Sequence, residues 1–132
     1  MSDPSPDDIA ESARWLGEAA EELRAAERLS GDEDIPARIP CFHAHLAAEK
    51  AIKALMIRRG IVVPRIHDLG RLADTLPPDD RSALADADLE LLTPWTIDGR
   101  YPADLIEVDR ETMRDVLDAA SRILDEVARR LE

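Results

Sequence analysis

Residues 41–69 read CFHAHLAAEKAIKALMIRRGIVVPRIHDL, and how this stretch folds decides the architecture of the chain. Phe42, Leu46, Ile52, Leu55 and Met56 recur with Ala48 and Ala51 at helical spacing, which predicts a helix from about Pro40 to Arg59. Gly60 supplies the stop, because glycine alone enters the left-handed conformation at no steric cost. Ile61-Val62-Val63-Pro64 has the composition of a strand. A lone strand ending in proline has nothing to pair with, so an extended connector is expected.

Toward the N-terminus, Ile9, Ala13, Leu16, Ala20, Leu23 and Ala26 fall in steps of three and four and draw one stripe along a helix from Ile9 to Leu29. Ser5 or Asp7 can cap it, and Asp7, Asp8 and Glu11 suit the positive end of its dipole. Ser30 to Asp34 reads as a solvated loop, and Pro36 and Pro40 set the approach to the next helix. Toward the C-terminus, Leu69, Leu72 and Leu76 predict a short helix over Asp68 to Leu76, stopped by Pro77-Pro78. Leu84, Ala87, Leu91 and Leu92 predict a fourth over Asp79 to Leu92, ended by Pro94. Thr96 to Asp104, with Gly99 and Pro102, reads as a loop. Met113, Val116, Ala120, Ile123, Leu124, Val127 and Leu131 mark a last helix from about Asp109 to Leu131. The expectation is an all-α, up-and-down bundle of about five helices, three long and two short.

Composition agrees. The 132 residues, 14.7 kDa, form one domain spanning 1–132 with a flexible start over residues 1–6, and 45% apolar with only 3% aromatic residues favours packed helices over strands. Charges interrupt every apolar run, so no stretch approaches the roughly 20 residues of a membrane span. The acidic, proline-bearing MSDPSPDD lacks the pattern of a secretory signal. One cysteine, Cys41, cannot form an intramolecular disulfide, and a cytoplasmic location is expected.

The net charge of −12 argues against extended phosphate contacts, but it is unevenly placed. Residues 1–34 carry 3 basic and 11 acidic side chains, residues 35–67 carry 6 and 1, and residues 68–132 carry 8 and 17. Only the middle is basic, at +5, where it can attract a nucleotide, an RNA or an acidic partner surface. The plainer alternative is that helix faces differ in charge.

The same middle carries a family resemblance. Phe42, the run Ala47-Ala48-Glu49-Lys50-Ala51-Ile52-Lys53-Ala54, Gly60, Pro64, His67-Asp68-Leu69 and the later Arg100-Tyr101-Pro102 agree in order and spacing with the HEPN domain, which this chain resembles. The resemblance implies a helical bundle that usually forms a homodimer, often stands beside a small nucleotidyltransferase, and in some branches is an RNA-cleaving toxin. Those nuclease branches carry an arginine and, after four to six residues, a histidine on a late helix. Here no histidine follows His67. Arg38 precedes His43 and His45 at permitted spacings, but fifteen arginines and three histidines in 132 positions yield about one such match by chance.

Within the second helix, His45, Glu49 and Lys53 share a face, with Lys50 about a quarter-turn away. Glu49 could orient His45 or a lysine while Lys50 and Lys53 meet phosphate as mobile point charges. Alternatively Glu49 and Lys53 form an ordinary exposed pair, or Glu49 is partly buried and anchors Arg100. His67 precedes Asp68 at a helix start, where Asp68 caps and His67 serves structure or phosphate. Arg100 and Tyr101 can grip a phosphate and stack on a base, or close the end of the bundle. His43 and His45 point about 200° apart on a helix, so no metal is expected, and nothing calls for a cofactor. Cys41 is expected to be buried, and Trp15 and Trp95 to fill the core.

Three functions follow. The leading one is a dimeric module with a nucleotidyltransferase-family partner, in a toxin–antitoxin-like pair, touching nucleotide or RNA through Lys50, Lys53, His67, Arg100 and Tyr101. The second is a metal-independent ribonuclease using His45, His67 and Arg100 as proton acceptor and charge stabiliser. The third is a structural adaptor, favoured if the basic segment is consumed by carboxylates of the same chain.

Overall fold

A computed structural model describes residues 3–95 and 108–132, which contain six α-helices and no strand. Three are long: α1 (Pro6–Ser30), α2 (Arg38–Arg58) and α6 (Arg110–Arg130). Three are short: α3 (Leu69–Ala73), α4 (Pro78–Ala83) and α5 (Asp86–Leu92), the last running into a 3₁₀ turn over Thr93–Trp95. No helix among the described residues is long and apolar enough to cross a membrane.

Helix α2 is the axis of the bundle. Alanines 44, 47, 48, 51 and 54, with Ile52, Leu55 and Met56, are fully buried, and α1, α6, α3 and α5 all pack on this helix. Its small residues let neighbours approach closely from several sides, which is why it reads as apolar nearly all round. It starts two residues earlier than Pro40. A proline in the first turn costs no helical hydrogen bond, because those amides have no partner within the helix. At the other end Gly60 has φ 74 and reverses the chain, and Ile61 donates to the Met56 carbonyl. Residues 61–64 form no regular element, as expected of a connector.

Two caps are as anticipated: Ser5 accepts from the Asp8 amide and Asp68 from the Arg71 amide. Asp109 likewise caps α6, accepting from the Thr112 amide. Helix α6 buries Met113, Val116, Ala120, Ile123, Leu124 and Val127 and adds Leu117 and Ala119.

Two expectations need correction. The helix read over Asp79 to Leu92 is two helices, because Leu84 is extended (φ −97, ψ 119) and turns its side chain into the core. Arg81 secures the corner, donating to Asp74, Asp86 and the Leu84 carbonyl. Helix α5 stops at Leu92 as expected, ahead of Pro94, which sits within the 3₁₀ turn, where the Thr93 hydroxyl donates to the Leu89 carbonyl. The apolar stripe of α1 turns only in part to the core, with Ala26 buried and Leu16 and Leu23 packed against it. Ile9 is 43% exposed and Ala13 and Ala20 lie on the surface, whereas Ser12, Ala19 and Ala26 are buried. Ser12 tolerates burial because its hydroxyl donates to the Ile9 carbonyl and accepts from Arg58.

The alanine packing around α2 leaves no room for added volume. Ala51→Leu is expected to destabilise the fold by about 1–3 kcal/mol, measured by urea unfolding, while Ala87→Leu at an exposed position of α5 should change stability by less than about 0.5 kcal/mol.

Candidate functional site

A carboxylate in the middle of α2 organises the most concentrated group of ionisable side chains. Glu49 is 6% exposed and sits one helical turn from both His45 and Lys53, so helical spacing alone brings the three to one side. Lys53 Nζ donates to Glu49 Oε2 over 3.0 Å, and His45 Nε2 lies 3.2 Å from Oε1. The connector after α2 returns His67 to the same place, with Nδ1 3.0 Å from Oε1. The other side of the His45 ring meets α5: a backbone carbonyl can only accept, so Nδ1 donates to the Leu92 carbonyl over 2.8 Å. Three elements therefore meet at one carboxylate: α2, the connector and, through His45, the end of α5.

Burial by itself would raise the Glu49 pKa, but hydrogen bonds from His45, Lys53 and His67 and the charge of Lys53 outweigh it and hold the carboxyl at about 2. A buried carboxylate is tolerated only when its lone pairs are engaged, and here the Lys53 ammonium and the two imidazoles of His45 and His67 engage both oxygens. The ordinary exposed Glu49–Lys53 pair considered from the sequence is thus not what forms, since Lys53 is only 8% exposed. His45, at 1% exposed, is closed to any substrate, whereas the His67 side chain is 38% exposed and is the member of the group that meets solvent.

Lys50 belongs elsewhere. Its quarter-turn offset sends it to α1, where Nζ donates to Glu22 over 3.0 Å and approaches Glu18. His43 Nδ1 binds the other Glu22 oxygen at 2.8 Å, so His43 and His45 diverge to different carboxylates. Arg100 and Tyr101 lie outside the described residues, as does any contact between Arg100 and Glu49. Asp68 caps α3 as anticipated.

Two further cations of the basic middle, Arg58 and Arg59, are also employed. Arg59 makes a two-nitrogen contact with buried Asp80, which Arg130 also binds, and Arg58 donates to Ser12 and to the Leu131 carbonyl. Arg38 and Arg65 keep no side-chain partner among the described residues, and neither does Arg71 just beyond the segment. Arg65 and Arg71 are exposed and flank His67 in sequence. They were missed as candidates because nothing in a sequence distinguishes an arginine that will be paired from one that will not. Cys41 is fully buried and its thiol is pushed up to about 12 by burial, so it is unreactive. Trp15 is partly buried with its indole donating to Glu11, and Trp95 packs against the core.

A carboxyl held below its unfolded value contributes stability above the unfolded value and loses it as pH falls toward the folded one. Glu49 should therefore contribute on the order of 3 kcal/mol at neutral pH, lost between about pH 4.5 and about pH 2. Urea unfolding at pH 7 and pH 3 checks this: wild type should lose more stability on acidification than Glu49→Gln, whose amide does not titrate.

The family relationships agree with this architecture. The model of the HEPN domain matches residues 12–131. The crystal structure of a Thermus thermophilus protein is similar at 30% identity and a TM-score of 0.76, covering 89% of this chain and 96% of that one. An archaeal HEPN homologue of known structure is similar in fold, with 21% identity, a TM-score of 0.68, and coverage of 92% of this chain and 98% of that one. No curated protein matches at a significant level. With its family model spanning nearly the whole bundle, the chain belongs to the HEPN domain family.

Proposed function

We propose that this HEPN-family chain is a dimeric interaction module that works with a nucleotidyltransferase-family protein in a toxin–antitoxin-like pair. Its contact with nucleotide or RNA is confined to the edge around His67. The observation that carries this reading is the fate of the basic middle segment. Lys50, Lys53 and Arg59 are neutralised by carboxylates of the same chain, and Arg58 is spent on Ser12 and a carbonyl. A long phosphate-tracking groove cannot be built from charges already so engaged. What remains is narrow: His67 partly exposed, with Arg65 and Arg71 beside it in sequence. Arg100 and Tyr101 complete the proposed contact as a phosphate grip and a stacking surface. The consumption of the segment equally supports a structural adaptor with no ligand, and the binding experiment separates the two.

The test is fluorescence anisotropy with a labelled single-stranded RNA and with a labelled nucleotide at low salt. Arg65→Ala with Arg71→Ala should weaken binding about tenfold and flatten its salt dependence, while Arg24→Ala should change neither. Absence of binding by the folded wild type would leave the adaptor.

One observation favours a second reading, a metal-independent ribonuclease. Glu49 holds the His67 ring by Nδ1, the arrangement that orients an imidazole as a proton acceptor for an RNA 2′-hydroxyl. His45 then acts only as a support for Glu49, and Arg100 is the proposed donor to the developing phosphorane charge. Cleavage in EDTA, abolished by His67→Ala and reduced at least about a hundredfold by Arg100→Ala, would establish it. Undiminished cleavage by both variants would dismiss it.

A further inference from the structure

The part of the α1 stripe left outside the core has a use. Ile9, Ala13 and Ala20 are on the surface, and Leu16 and Leu23 are partly buried against the core with an edge still open. Leu16, Ala20 and Leu23 form with Leu124 and Ala128 of α6 a shallow, mainly apolar groove of about 440 Å³ that Arg24, Glu27 and Asp125 also line. Beside this stripe lies Gly17, in the middle of a 25-residue helix. A Cβ placed there would meet nothing within 4 Å, so no contact inside the protomer requires a glycine. Glycine in a helix interior costs about 1 kcal/mol relative to alanine, and close approach of another backbone is what would offset that.

The charges on the same side of α1 identify the occupant. Asp7, Arg14, Glu21 and Arg28 are all exposed and lie seven residues apart, so they form one row alongside Gly17. Their signs run minus, plus, minus, plus along the helix. Two copies of α1 packed antiparallel about a two-fold axis near Gly17 and Glu18 set Asp7 against Arg28 and Arg14 against Glu21, each twice. Opposite signs meet at every step, which is the reciprocity that an isologous interface demands. A parallel pairing would oppose like charges instead. Over a body of net charge −12, two copies repel each other broadly, and this row with its apolar flank is a place where approach is complementary.

We infer that the outer face of α1, centred on Gly17 and flanked by the Leu16–Leu23–Leu124 groove, is the surface on which a second copy of this chain docks antiparallel. This rests on the dimeric reading above and specifies its interface. Light scattering and sedimentation of the full chain provide the test. Ala13→Glu with Ala20→Glu, both at exposed helical positions that favour helix, should weaken association at least about tenfold with unchanged circular dichroism. Arg14→Glu with Arg28→Glu should do the same, and adding Asp7→Arg and Glu21→Arg should restore the dimer. A dimer untouched by the two glutamates, or reversed charges with no restoration, places the interface elsewhere and overturns this surface alone. A monomeric wild type overturns both this surface and the dimeric reading.

Discussion

Everything in this bundle is arranged around a carboxylate held inside its central helix. Glu49 has no solvent to screen it, so its stability depends on three side chains converging from different parts of the chain. Two of these come from α2 itself, one turn on either side. The third, His67, is delivered by the connector, and His45 passes the constraint on to the end of α5 through a backbone carbonyl. The approach of the connector, the seating of α5 and the orientation of the His67 imidazole are thereby linked. Loss of any partner leaves the others with a poorly neutralised group in an apolar setting, which ties a surface histidine to the packing beneath it.

The remaining charges show a complementary economy. At the opposite end of α2, Arg58 and Arg59 reach Ser12, Asp80 and the last carbonyls of α6, clamping helix ends that lack internal partners. On the α1 side, Glu22 gathers His43 and Lys50. Four of the six cations in this segment of net charge +5 are engaged inside the protein, Lys50, Lys53 and Arg59 by carboxylates and Arg58 by a hydroxyl and a carbonyl, which leaves Arg38 and Arg65 as its positive surface. This explains how a strongly acidic chain keeps a basic central helix without advertising it, and why the proposed ligand contact shrinks to a few residues near His67.

The helical class, the three long helices, the caps at Ser5 and Asp68 and the glycine stop after α2 were legible in the sequence, since each depends on local spacing and on backbone chemistry within a few residues. The His45–Glu49–Lys53 grouping was legible for the same reason. What was not legible followed from contacts between distant segments. The break at Leu84 depends on a side chain finding the core and on Arg81 bracing the corner. The rotation of α1, which exposes Ile9 and buries Ser12, depends on Arg58 being present to satisfy a buried hydroxyl. Whether a lysine faces solvent or a carboxylate also has no local signature.

By itself the amino-acid order determined which stretches are helical, the extent of the three long helices to within a turn, and that Glu49 would have a histidine and a lysine one turn away, because periodicity and capping act over a single turn or two. Tertiary structure decided that Glu49 is buried, that His67 joins it from 18 residues along the chain, that most cations of the basic segment are engaged, where the 79–92 stretch breaks, and which side of α1 remains open. The physical reason is the same in each case: burial and ion pairing are set by which surfaces meet, and meeting depends on the packing of helices far apart in sequence.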